Sequence, residues 1–157
     1  MSTTKNLMAG LLSLFLAEAA LAENPIDIHL KPGQKISLIS YEVPGGVYFL
    51  QGALITLEFG GEVHGFFGND ATHARQFDQK GANVGDAIFQ APADSPATLT
   101  VKGMYSRNEP GAKTQSRVGI ADRIPEDGGN FNMYFHDERD DVDPNDYSLK
   151  LTFTISK

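Results

Sequence analysis

The chain has 157 residues, 13 Lys and Arg against 20 Asp and Glu, a formal charge of −7, and neither Cys nor Trp. One domain is the natural count at this length. The charge excludes a binder of the nucleic-acid backbone, which needs a basic face, and the missing Cys excludes disulfides, thiolate zinc sites and Cys nucleophiles.

The first segment reads as a targeting signal. Lys5 precedes the apolar run Leu7 to Leu16, and Ala20-Leu21-Ala22 offers small residues at both positions a signal peptidase reads. The run is interrupted by Glu18 and falls short of the roughly 20 apolar residues of a membrane span. Residues 1–22 are therefore expected to be a secretory signal peptide, and residues 23–157 the exported domain, periplasmic or extracellular. A domain without disulfides holds together through its core or a bound metal.

The exported part is punctuated by Gly and Pro between short apolar runs, the pattern of an all-β chain. Ile26, Ile28 and Leu30 alternate with Asp27 and His29 up to the Pro32-Gly33 turn. Strands are expected over Lys35 to Tyr41, Val47 to Leu50, Ala53 to Phe59, Val63 to Phe67, Ile88 to Ala91 and Ala97 to Val101. Asn130 to Phe135 alternates Phe131, Met133 and Phe135 with polar neighbours. The last strand is the plainest, with Tyr147, Leu149, Leu151, Phe153 and Ile155 on one face and Ser and Thr around Lys150 on the other. About nine strands, one face buried and one wet, predict a single antiparallel two-sheet β-sandwich or jelly roll.

Two long connections interrupt this rhythm, Gly68 to Asp86 and Ser106 to Gly129. The first has a short helical pattern over residues 70–81, with Asp70 as N-cap and Gly81 past its end. Its Asn69, Asp70, His73, Arg75 and Asp78 are a hydrogen-bonding set suited to a glycan or a cell-surface ligand. The bland alternative is a lid on the open end of the sandwich, plugged by Phe77.

The densest cluster is His136 to Asn145-Asp146, which holds five Asp, one Glu and one Asn against Arg139 alone. Crowded carboxylates repel unless solvated or neutralised. A Ca²⁺ ion neutralises them and takes 6–8 oxygens from such a loop. Asp137, Asp141, Asp143, Asn145 and Asp146 are the candidate ligands. Asp141-x-Asp143-x-Asn145 has the spacing of the first three EF-hand ligands, but Asp146 and Thr152 stand where that motif needs Gly and Glu, so this is no EF-hand. The alternative is a solvated acidic hairpin that discourages edge-to-edge pairing. The four His, His29, His64, His73 and His136, show no zinc-motif spacing. With no G-x-S-x-G, P-loop or dinucleotide glycine pattern, a non-enzymatic binding protein is expected.

Gly52-Ala53-Leu54, Phe89-Gln90-Ala91-Pro92, and Phe135-His136-Asp137 followed by an acidic and amide loop and an alternating last strand together resemble the bacterial PA-I type galactose-binding lectins. Those are small calcium-dependent β-sandwiches. The resemblance implies a carbohydrate ligand and Ca²⁺ held by Asp137, the carbonyl of Asp141, and the pair Asn145-Asp146 with one inserted residue. The alternative class for a small acidic exported chain is a periplasmic protein-binding module, such as an inhibitor or immunity protein against a toxin or lytic enzyme, steered by charge to a cationic partner.

Protein recovered from the producing cell is expected to begin at Glu23, which intact mass checks. A soluble, folded product that keeps Met1 to Ala22 contradicts the export reading.

Overall fold

The computed structural model describes residues 23–44, 49–58, 62–67, 88–106 and 113–157, with the backbone alone at 62–67, 88 and 113. The signal segment, the 70–81 helical pattern and the candidate ligand residues Asn69, Asp70, His73, Arg75 and Asp78 lie outside the described residues.

Ten strands are described: β1 (Ile26–Leu30), β2 (Lys35–Glu42), β3 (Leu50–Leu57), β4 (Glu62–Phe67), β5 (Ile88–Gln90), β6 (Ala97–Ser106), β7 (Lys113–Gln115), β8 (Val118–Ala121), β9 (Gly129–His136) and β10 (Leu149–Ser156). They form two antiparallel sheets. The first runs β1-β6-β3-β4, with β7 also on β6; the second runs β5-β2-β10-β9-β8. The chain is a single all-β sandwich. Among the described residues no helix is long and apolar enough to cross a membrane.

Alternation builds the core. Ile26, Ile28 and Leu30 of β1 are buried while Asp27 and His29 face out. Leu149, Leu151, Phe153 and Ile155 of β10 are buried on the opposite sheet, and Phe153 pairs with Phe131 of β9, their rings stacked at 5.6 Å. The expected turn at Pro32-Gly33 is present: Gln34 N donates to Lys31 O at 3.0 Å, and Gly33 has φ 75°. Proline second and a positive-φ glycine third make a type II turn, where a side chain at Gly33 would be strained.

One row changes parity. In β2, Ile36 and Leu38 are buried, but beyond them it is Tyr41 and Val43 that turn to the core. Thr152 pairs with Ser40 and Phe153 with Leu38, so Ile39 is the extra residue of a β-bulge. A bulge shifts the inward row by one. It leaves Ile39 43% exposed, the exposed large hydrophobic residue among those described.

Three expectations need correction. Among the described residues the expected break between a strand ending at Leu50 and one starting at Ala53 is absent: β3 is continuous from Leu50 to Leu57, because Gly52 pairs with both Phe66 and Met104 and is held from each side. The Ala97 to Val101 strand continues through Gly103 to Ser106. Ser106 to Gly129 is not one long loop, since it contains β7 on the first sheet and β8 on the second.

The reason Gly103 and Gly119 sit within strands is Phe135. Its buried ring lies between the sheets. A Cβ on Gly103 would come within 2.5 Å of that ring, and a Cβ on Gly119 within 2.6 Å. Gly119 is the cross-strand partner of Phe135 on β8, and Gly103 faces it from β6. Neither glycine needs conformational freedom; both give up a side chain so that the ring fits. Gly103→Ala is expected to destabilise the fold by about 1–3 kcal/mol through overpacking, read from chemical denaturation. Adding Phe135→Leu is expected to cost less in the Gly103→Ala background than alone. Additive costs contradict the wedge.

Candidate functional site

The strand register gathers several connections at one end of the sandwich. Glu42 closes β2 opposite Lys150, near the start of β10. Leu50 opens β3 opposite Ser106, the last residue of β6, which also pairs with Lys113 of β7. Phe67 closes β4 opposite Gln51. His136 closes β9 opposite Val118, the first residue of β8. The connections 43–49, 68–87, 107–112 and 137–148 therefore all begin at this end. Loops at one end of a rigid sandwich are where such folds carry binding residues.

Asp137 is the innermost acid of this end. It is 6% exposed, although it directly follows a strand. Glu138 N donates to its Oδ1 at 2.8 Å, and Nε2 of Gln51 donates to its Oδ2 at 2.9 Å. Gln51 is fully buried and comes from β3, on the other sheet. It shares the inward row with Ala53 and Ile55, so strand alternation drives a polar side chain into the sandwich. Its Nε2 also donates to Phe49 O at 3.2 Å, while its Oε1 is buried and, among the described residues, accepts no hydrogen bond. A buried acceptor left unpaired costs about 1–3 kcal/mol.

The remaining carboxylates are distributed. Asp140 pairs with Arg117 at 3.0 Å, and Asp146 with Arg139. Asp143 Oδ1 accepts from the backbone of Asn145 at 2.6 Å and of Asp146 at 3.0 Å, an Asx turn that organises the hairpin tip. Asp141 and Asn145 are exposed. Of the five expected metal ligands, the structure thus places Asp137 at the buried base, Asp143 and Asn145 in one tight turn, Asp146 against an arginine and Asp141 in solvent. Among the described residues no three His, Asp or Glu side chains are grouped to hold a metal ion.

His136 stands between two acids, Nδ1 3.3 Å from Asp137 Oδ1 and Nε2 3.8 Å from Asp146 Oδ1. Arg139 N also points at Nδ1, at 3.4 Å. A donor and an acceptor on one ring nitrogen call for opposite protonation states, so a single tautomer serves only one of them. The Ser148 hydroxyl lies 3.5 Å from the same nitrogen, but Ser148 is buried beneath the hairpin. His29 is a surface residue whose Nδ1 lies 3.4 Å from Thr98 Oγ1.

Sequence reasoning missed Gln51, Arg117 and the Tyr147–Glu42 contact. The available signal for Gln51 was one amide in an otherwise apolar row, visible only once Gly52 is read as strand interior. At the opposite end, a depression of about 450 Å³ is walled by Leu30, Pro32, Pro96, Ile124 and Pro125. Its Lys31 is already paired with Asp127 at 3.1 Å.

Comparison of the chain with protein-family models, with curated proteins and with solved structures finds no match.

Tyr147 closes the hairpin. Its hydroxyl donates to Glu42 Oε1 at 2.8 Å, and its ring lies 5.3 Å from that of Tyr134. Burial, then the hydrogen bond and charge of Glu42, push its pKa up to about 12. Between about pH 10 and 12 the folded chain therefore keeps a proton that the unfolded chain releases, and stability falls across that window. Ultraviolet titration is expected to show one tyrosine ionising late, and Glu42→Gln to move it back toward the ordinary range. Uniform ionisation of all tyrosines near pH 10 contradicts the contact.

Proposed function

We propose that this chain is an exported, non-enzymatic binding protein that takes a glycan at the loop-rich end of its sandwich, with Ca²⁺ held at the β9–β10 hairpin. The observation that carries the reading is the buried Asp137 carboxylate at the base of that end, held by the amide nitrogen of the fully buried Gln51. A carboxylate is in the ligand set of a hard cation. Asp141, Asp143, Asn145 and Asp146 would supply further oxygens, and Asp146 would exchange Arg139 for the metal. A bound Ca²⁺ contributes charge neutralisation and leaves positions in its shell of 6–8 oxygens for hydroxyl groups. The 68–87 connection, which includes Asn69, Asp70, His73, Arg75 and Asp78, starts one residue beyond the Phe67–Gln51 pair. Those five residues are proposed to supply the ligand contacts.

A second reading, a module that binds a cationic protein such as a toxin or lytic enzyme, draws on one observation. Asp140 and Asp146 already have arginine partners, and Asp141 and Asp143 face solvent. It predicts capture of a basic enzyme that weakens steeply with salt and ignores chelators.

A glycan array with and without chelator separates the two. The first reading expects a defined set of glycans, lost on chelation. If calcium binds at about 10 μM and is present at about 1 mM, it stabilises the fold by roughly 2.7 kcal/mol. Asp141→Ala with Asp143→Ala is expected to remove that stabilisation, measured by thermal melting. Equal melting points with calcium and with chelator, and no glycan bound, overturn the reading in favour of the second.

A further inference from the structure

We propose that the depression at the end of the sandwich opposite the acidic hairpin is a docking site for a protein partner, and that it takes one aromatic side chain flanked by lysine or arginine. It stands apart from the loop-rich end and needs neither the glycan nor the calcium reading. Three separate segments build it. The β1–β2 turn supplies Lys31 and Pro32, the chain just before β6 supplies Pro96, and the β8–β9 connection supplies Ile124, Pro125 and Glu126. Its volume of about 450 Å³ is in the range of ligand clefts.

The walls are fixed before anything binds. Gln34, 6% exposed, ties two of them together: its Oε1 accepts from Lys31 N at 2.8 Å, and its Nε2 donates to Glu126 O at 2.8 Å. Gly33 N donates to Pro92 O at 2.8 Å, which holds the same turn to the segment that leads to Pro96. Lys31 reaches across to Asp127 at 3.1 Å and to Glu126 at 3.9 Å. Proline rings lose almost no side-chain freedom when a pocket fills, and they offer no N–H to a ligand. A ring with flat apolar faces suits such walls, and aromatic anchors seated in pockets carry much of the affinity of protein interfaces.

The rim sets the charge of the partner. Asp27 and Glu126 line it, Asp127 stands beside it, and Lys31 is already taken up by Glu126 and Asp127. Asp27 accepts from the Thr100 hydroxyl at 2.7 Å, and among the described residues no Lys or Arg pairs with it. The rim is therefore net negative and complements basic residues on either side of the anchor. A second copy of this chain suits it poorly, because two chains of charge −7 repel.

The test is amide-shift titration of the isotope-labelled exported protein with three capped tripeptides, Lys-Trp-Lys, Glu-Trp-Glu and Lys-Ala-Lys. Lys-Trp-Lys is expected to move the amides of Asp27 to Lys31, Ile124 and Glu126, and the other two to leave them in place. Asp27→Asn with Glu126→Gln, both surface changes of charge alone, is expected to weaken Lys-Trp-Lys by about fivefold, the scale of two exposed charge contacts. Shifts spread over the acidic surface, or confined to the loop-rich end, overturn the proposal. An equal response to Glu-Trp-Glu overturns the basic partner, and an equal response to Lys-Ala-Lys overturns the aromatic anchor. Unchanged affinity in the double variant overturns the role of the rim. Movement of the same amides with protein concentration alone identifies a second copy as the occupant and overturns the proposal as well.

Discussion

The ring of Phe135 between the two sheets is the contact on which the rest of the arrangement depends. It is fully buried, and it touches the first sheet at Gly103 and its own sheet at Gly119. Interiors pack at crystal-like density, so a ring this size between strands needs matching absences on both sides. The two glycines are those absences. Once the ring is seated, the end of β9 has little freedom. His136 and Asp137 follow directly, and Ser148 N donates to Phe135 O at 2.8 Å, so the returning chain is pinned to the same residue. The acidic hairpin grows directly from this buried ring, and this explains how an aspartate two residues beyond Phe135 is buried.

The edge of the first sheet shows the same economy with a polar group. β1 and β7 lie along one edge of β6, β1 beside Ala97 to Val101 and β7 beside Met104 to Ser106. The gap between them falls at Gly103 and is filled by Asn24. Its side chain accepts from Gly103 N at 3.0 Å and donates to Gly103 O and Ser116 O, in the manner of a backbone rung. Glu23 N donates to Gly119 O at 2.7 Å on the other sheet. The first two residues after the expected cleavage point thus join the sheets at the edge where β1 approaches β8.

Legibility in the sequence followed local periodicity. β1 and β10 are plain because each keeps strict alternation and buries one face, and β9 because Phe131, Met133 and Phe135 share its inward row, although Tyr134 between them is buried too. β8 is not, since Val118-Gly119-Ile120-Ala121 is short and has a glycine where a strand needs a side chain. Only the three-dimensional neighbour Phe135 explains that glycine. The β2 bulge is invisible for a related reason: Ile36, Leu38, Tyr41 and Val43 fit no single period, and the pairing with β10 decides where the extra residue goes. For the site, charge density pointed to the β9–β10 hairpin, but not to the division of labour within it. Spacing does not reveal that Asp140 and Asp146 are turned toward arginines, or that Asp137 is held by a glutamine 86 positions away in sequence. Those pairings are made by topology.

The central claim is that the base of the hairpin belongs to the core, so that anything bound there is read by the whole sandwich. Native-state hydrogen exchange at the amide of Ser148 tests it most directly. This amide is expected to open at the same free energy as the amides of Phe131 and Met133, that is, through global unfolding. Exchange of Ser148 through a cheaper local opening, with the β9 amides still protected, would show that the hairpin base moves independently of Phe135 and would contradict the account.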